Sequence, residues 1–281
     1  MIESVDVAKV ASDPAHISSK AVIDSAAVVA SSCSIGPGVF IGSGVILEGD
    51  VKVGPNAVLG ASLPAMENSR LLIGSGVHIG ANATIFYGAH LGAHSRVMPG
   101  SVVKWQVPPT AIVEGNPAAI VGYANAALNC LSAYSSSQSS RVYGVMDTEV
   151  RGVRIHQFPV IPDLRGNLTV GEFVNQIPFV PKRYFMVFDV PSREVRGEHA
   201  HRVCHQFLIC IKGSCSVVVD DGSNRAEVKL EDSHSGLYIP PMVWGIQYKY
   251  TSDAVLLVFA SHFYDPADYI RDYDDFLAAI N

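Results

Sequence analysis

The chain has 281 residues and a mass of 30.0 kDa, with 48% hydrophobic and 16% charged residues and a mean hydropathy of +0.25. That is enough apolar material to fill cores and too much for a disordered chain. Its net charge of −6 comes from 20 Lys+Arg against 26 Asp+Glu, with no basic run that would give nucleic acid or an anionic membrane an electrostatic footprint. No apolar run approaches the ~20 residues of a membrane span. The opening MIESVDVAKV lacks the apolar core of a secretory signal, so a cytoplasmic protein is expected. Five cysteines without CxxC spacing argue against both a disulfide framework and a cysteine zinc site.

From Ile23 an aliphatic residue recurs every six positions: Ile23, Val29, Ile35, Ile41, Leu47, Val53, Leu59, then Ile73, Ile79, Ile85, Leu91, Val97 and Val103. A helix would repeat near 3.6 and a flat strand at 2. A period of six fits a short strand and a tight corner, with the aliphatic pointing inward and Gly or Asn taking corner backbone angles. Three such units close a triangular coil, giving about four coils. The register breaks between Leu59 and Ile73, around ASLPAMENSR, and an insertion off a solenoid marks a binding loop.

The repeats IGPGVF, IGSGVI, VGPNAV and IGANAT, closed by VPPTAIVEGNPAAIVG, resemble the hexapeptide-repeat left-handed β-helix acyltransferases, and GANATI with GSVV resembles their sugar N-acetyltransferase branch. The resemblance implies acetyl-CoA as co-substrate and a trimer with clefts between subunits. It implies that Gly88 and Ser101 meet the pantetheine arm and Lys104 a CoA phosphate. The position where relatives often carry Asn or His before the loop matches Ala61 here, so the acetyl-transfer candidates are His90, then His94, with His78, Glu67 and Asn68.

After Gly122 the period stops. ANAALNCLSAY reads as a short helix and SSSQSSR as linker, which divides the chain into a repeat domain at 1–130, a linker at 131–146 and a second domain at 147–281. The second domain alternates in short β-like runs with a hairpin signal at Asp220-Asp221-Gly222, as in an antiparallel jelly roll or barrel. The end, DPADYIRDYDDFLAAI, reads as one helix capped by Asp265 with Pro266 in its first turn. The overall fold class is all-β.

The chemistry concentrates in RGEHAHRVCHQ. His199 and His201 alternate along a strand and project from one face. The spacing copies the first cupin motif, except that Gln206 stands where cupins carry a metal-binding Glu and Gly245 where a His would close the second motif. With two of the four ligands missing, no metal is expected. DLRG at 163–166, RGEHAH, LYIPPMVW and ASHFYDPADYIRDYDDF resemble the sugar nucleotide 3,4-ketoisomerases, metal-free cupins acting on dTDP-4-oxo-6-deoxyglucose.

The whole chain is thus similar to bifunctional ketoisomerase/N-acetyltransferases of dTDP-3-acetamido-3,6-dideoxyhexose synthesis. The alternative is an acetyltransferase with a degenerate, nucleotide-sugar-binding cupin. On the first reading His199 and His201 serve as acid and base in either order, Arg196 holds the oxyanion or else the ring hydroxyls, and Tyr184 contacts the ring or shuttles a proton. Arg165 and Arg183 bind diphosphate, and Trp244 lines the pocket. A trimer through the β-helix, closing as a hexamer if the cupins pair, is the expected assembly.

Overall fold

The computed structural model describes residues 16–62, 70–124, 127–129, 143–191 and 194–280. The chain divides into two compact units, Met1–Ala124 and Asn125–Asn281, so the division falls after Ala124 rather than at residue 130.

In the first unit, three sheets of seven, five and four strands form the sides of a coil, parallel except where Ala111–Gly115 and Ala118–Tyr123 pair antiparallel at the end of the first. Register steps by three hexapeptides: Ser34 lies beside Lys52, Phe40 beside Val58 and Val28 beside Ile46. The coil starts one repeat earlier than the sequence reading, because His16–Ile17 already pairs with Ser34–Ile35. The periodic aliphatics fill the interior, where Ile41, Leu47, Leu59, Ile73, Ile85 and Leu91 are all at most 1% exposed.

Glycine enters the repeat for two separate reasons. At Gly80 a Cβ would lie 2.5 Å from the backbone nitrogen of Pro99 in the next coil, so stacking forbids a side chain there. The left-handed corner angle falls two residues later, on Asn82 at φ 57°. Gly80→Ala is expected to destabilise this unit by about 1–3 kcal/mol through overpacking, read as a lower midpoint in thermal unfolding. An unchanged midpoint would show that the neighbouring coil yields freely.

The break in the repeat is larger than it looked. Leu47 pairs onto Ile73 and Leu59 onto Ile85, so the passage from Leu59 to Ile73 is one side of the triangle, with fourteen residues in place of six. The insertion therefore springs from one corner. Glu67 and Asn68 lie outside the described residues.

The three outer faces differ in chemistry. One carries the outward column Ser34, Lys52, His78, Arg96. The others present Val22, Phe40 and Val58, and Val28, Ile46 and Leu72, with Val22 and Val28 about 60% exposed.

The second unit is two six-stranded sheets face to face. One runs in the order 127–129, 225–230, 215–220, 244–248, 196–201, 269–270, and the other in the order 144–147, 154–157, 235–239, 206–212, 255–260, 183–188. Leu208, Val217, Val228, Leu237 and Leu256 close the core between them. The expected hairpin is present, with Asp220 opposite Arg225.

Three expectations change here. Ala127–Asn129, read as helix, is a strand paired in parallel with the 225–230 strand, and Gly144–Asp147, read as linker, pairs with Arg154–Gln157. The rest of the expected linker, 131–142, lies outside the described residues. The C-terminal helix is also broken. Asp265 caps a 3-10 turn at Pro266–Asp268, Tyr269–Ile270 then pairs with Ala200–His201, and the α-helix spans only Tyr273–Ile280. Strand pairing wins at that point because it places Asp268 and Tyr269 against the histidine strand. No helix of the described residues is long and apolar enough to cross a membrane.

Candidate active site

A bulge sets the histidines. Between Gly197 and His199 the register shifts against the 244–248 strand, with Gly197 at φ 84° and Glu198 at φ 51°. Such a bulge re-aims the side chains that follow it. His199 and His201 point to the same side, with ring centroids 4.9 Å apart at 85°. They line a narrow pocket with Gln206, Ile239, Gly245 and Gln247.

Hydrogen bonds fix both tautomers. His201 Nδ1 lies 2.7 Å from Asp268 Oδ2 and His199 Nδ1 lies 2.9 Å from the Gly197 carbonyl. An ionised carboxylate and a carbonyl only accept, so each Nδ1 carries the proton and each Nε2 keeps its lone pair. Gln206 Nε2, 3.0 Å from His201 Nε2, donates to that lone pair. Asp268 also accepts the Val203 N–H at 2.7 Å.

The electrostatics follow from this burial and bonding. Burial pulls His199 down to about 4. It also lowers His201, against the opposing pull of Asp268. Burial alone would raise the Asp268 carboxyl, but the Val203 N–H and the His201 ring hold it below the usual carboxylate range. At neutral pH the site holds one carboxylate and two neutral imidazoles, a set suited to moving protons.

The cupin four-ligand metal set does not form. Gln206 spends its amide on His201, and Gly245 offers no donor. A His201 ring nitrogen, Cys204 Sγ and an Asp268 oxygen do lie within 4.8 Å of one another.

Three residues that the sequence reading missed complete the site. Asp268 orients His201. The Tyr269 ring lies 4.3 Å from His201 and 4.9 Å from His199. Arg271 sits 4.4 Å over the Tyr269 ring. Their signal was the DPADYIRDY run, which read as helix and so was assigned to packing. Arg183 reaches this cluster, with Nη2 3.3 Å from Tyr269 Oη, and its charge and that of Arg271 are the arginine charges felt at His201.

The other expected residues stand elsewhere. Tyr184 follows Arg183 on its strand, so it faces outward and is 65% exposed. Arg196 is exposed, and its charge acts on Tyr250. Trp244 adjoins the pocket-lining Gly245 and so points the other way, packing on Tyr273 and Phe276 of the terminal helix. Arg165 is exposed in the hairpin turn between Val160–Asp163 and Gly166–Thr169.

In the β-helix, Ser101 is fully buried inside the coil, with its N–H bonded to Met98 and its carbonyl to Thr84. It occupies a small interior slot and cannot reach a ligand outside. The Gly88 N–H is bonded to the Arg70 carbonyl. Lys104 lies 5.2 Å over Phe86. His90 projects outward beside Leu72, and His94 sits on a corner at φ 57°.

The fold and site thus define a parallel β-helix joined to a cupin-like double sheet that houses a carboxylate-backed histidine pair. Residues 151–281 match the family model FdtA, described as WxcM-like, C-terminal, and the chain belongs to that family. Residues 32–62 match the bacterial transferase hexapeptide model.

The chain is 43% identical over 131 residues to the TDP-4-oxo-6-deoxy-α-D-glucose-3,4-oxoisomerase of Aneurinibacillus thermoaerophilus, covering 46% of this chain and 94% of that enzyme. It is 37% identical over 76 residues to a 2,3,4,5-tetrahydropyridine-2,6-dicarboxylate N-acetyltransferase of Staphylococcus aureus, covering 27% of this chain and 32% of that enzyme's length. Among solved structures, a 3,4-ketoisomerase from Helicobacter canadensis is similar at 38% identity and a TM-score of 0.45, over 46% of this chain and 97% of that one.

Proposed function

We propose that the chain is a bifunctional enzyme of amino-deoxysugar synthesis. The cupin unit isomerises dTDP-4-oxo-6-deoxyglucose to its 3-oxo isomer, and the β-helix unit transfers acetyl from acetyl-CoA to a dTDP-3-amino-3,6-dideoxyhexose. The observation that carries the first half is the His199–His201 pair with Asp268 behind it, in a unit that spans nearly all of a ketoisomerase relative.

Moving the ketone requires loss of the C3 proton, which the C4 carbonyl acidifies, and gain of a proton at C4. His201 is the base, because Asp268 stabilises the imidazolium formed when Nε2 takes the C3 proton, Gln206 first turning its amide nitrogen away from that lone pair. His199 is the second carrier: neutral at the start, it takes on the proton that His201 removed, their rings being 4.9 Å apart, and delivers it at C4. With its pKa near 4 its imidazolium is strongly acidic and hands a proton on readily. Arg183 and Arg271 offer positive charge at the mouth for the substrate diphosphate, and Arg165 remains a second anchor.

In the β-helix unit His90 takes the ammonium proton of the acceptor. The amine then bonds the acetyl carbon and the carbon–sulfur bond breaks. His94, Glu67 and Asn68 are alternative acceptors of that proton, and Lys104 is the cation available to CoA. A separate amination must act between the two steps, since one leaves a ketone and the other needs an amine. The apolar columns beginning at Val22 and Val28 favour a trimer packed through those two faces. Cupin pairing would extend it to a hexamer in the cytoplasm.

The test is proton NMR of metal-stripped protein with dTDP-4-oxo-6-deoxyglucose in D2O. Loss of the C3 proton with growth of a 3-oxo product is expected. Substrate that binds yet shows no exchange over hours would reduce the cupin to a binding module.

A further inference from the structure

One edge of the β-helix gathers aromatic and cationic side chains away from the cupin pocket. It joins the face of Val22 and Phe40 to that of Val28 and Ile46, and its last two corners are residues 87–89 and 104–106. The first of these corners runs straight into His90, the proton acceptor of the acetyl-transfer reading. Resting on that reading, we propose that Trp105, on the second corner, is the stacking platform for the base of a nucleotide substrate, with Lys104 beside it to meet that nucleotide's phosphate.

The placement follows from the coil. Val102 and Val103 stand opposite Thr84 and Ile85, so Lys104 and Trp105 come one coil beyond Phe86 and Tyr87. Both chain neighbours of Trp105 reach back to that earlier coil. Lys104 Nζ lies 5.2 Å from the centre of the Phe86 ring, and Gln106 Nε2 donates to the Gly88 carbonyl at 3.4 Å. The corner is thus pinned on either side of the indole, while Trp105 itself is 38% exposed. Among the described residues the indole meets no ring and no hydrogen-bond partner.

Tyr87, on the same edge, is satisfied within the fold. Its ring lies over the backbones of Gly42 and Gly60, where a Cβ would strike it, and its Oη donates to the Ser43 carbonyl at 2.8 Å. Trp105 has no such bed. It offers a flat π-face, on which any base can stack, and a free indole N–H. Lys104 has no carboxylate partner among the described residues, and a lysine meets phosphate as a point charge. A base close to a phosphate is what the two acetyl-transfer substrates share. Coenzyme A carries adenine on a phosphorylated ribose, and the acceptor carries thymine on a deoxyribose linked to diphosphate. A platform that holds the base acts on binding and leaves the chemical step alone.

The test is Trp105→Ala and Trp105→Phe in the full chain, assayed for acetyl transfer, with ketoisomerisation as the control on the same preparation. Trp105→Ala is expected to raise the KM of one nucleotide substrate ~10–100-fold, with kcat within a few-fold of wild type. Trp105→Phe should recover most of that loss. With adenine as the base, the KM of acetyl-CoA moves, and variant and wild type become equal with S-acetylpantetheine, which has no adenosine. With thymine as the base, the KM of the amino sugar moves instead. Both KM values within a few-fold of wild type would overturn the platform. A changed oligomeric mass would overturn it too, by making Trp105 a contact between copies of the chain. Fluorescence tests binding apart from turnover. The chain has two tryptophans, so in a Trp244→Phe background the emission of Trp105 should be quenched by coenzyme A or by dTDP. Quenching by neither would overturn the platform. Quenching in a protein whose wild type transfers no acetyl group would instead overturn the acetyltransferase reading.

Discussion

Asp268→Asn is expected to lower ketoisomerase kcat by ~10²–10⁴-fold with little change in thermal stability. The carboxylate accepts from the Val203 N–H at Oδ1 and from His201 Nδ1 at Oδ2. An asparagine keeps the first by turning its carbonyl oxygen toward Val203. Its amide NH2 then faces His201, where it can only donate. The imidazole responds by moving its proton to Nε2, and Gln206 follows by turning its own carbonyl toward the ring. The nitrogen that faces substrate becomes a donor, and the base is gone while the packing remains. Acetyl transfer by the β-helix unit should be unaffected, which supplies an internal control on the same preparation. An Asp268→Asn enzyme that kept a tenth or more of wild-type kcat would remove His201 from the role of base and leave His199 to fill it.

The same aspartate shows where the sequence stopped being legible. The hexapeptide period announced the coil because every sixth side chain must fill a narrow interior, and that constraint is local. The HAH pair was equally readable, since alternation places both rings on one side of a strand, and the bulge at Gly197–Glu198 did not reverse it. Asp268 and Tyr269 were hidden because their partners lie some seventy residues earlier, and nothing local distinguishes DPADYIRDY from an amphipathic helix. Long-range pairing with Ala200 and His201 overrode the helical propensity of that segment. Trp244 and Tyr184 failed for a simpler reason. Each adjoins a residue that does face the site, and the strand period of two turns it away. Ser101 followed the family pattern in sequence but falls on an interior slot of this coil.

Acidification from pH 7 to 4.5 is expected to destabilise the cupin unit, with His156 as a major contributor. His156 is 2% exposed. Its Nδ1 lies 2.6 Å from Tyr143 Oη, and Tyr143 donates its own proton to the Gln176 carbonyl at 3.0 Å. Nδ1 is therefore the protonated nitrogen, and Nε2 is buried with no partner, close to the edge-on Phe207 ring. Burial, aided by the charge of Arg154, holds the folded pKa at about 4. Unfolded histidine titrates near ~6.5, so the fold favours the neutral ring. That contribution is fully present above ~6.5, declines as pH falls, and is exhausted below about 4. It amounts to ~3 kcal/mol over the whole interval. His199, also near 4, adds with the same sign. The depressed carboxylates Asp221 and Asp268 act mainly below this window. Urea midpoints read from Trp244 fluorescence in a Trp105→Phe background would follow the cupin unit alone. His156→Phe keeps the ring packing and gives up the bond to Tyr143, so it should be slightly less stable than wild type at pH 7. Its midpoint should fall less steeply with acid, and the two curves should cross before pH 4.5. Parallel curves would show that His156 is solvated on protonation and that the acid sensitivity belongs to the catalytic histidines.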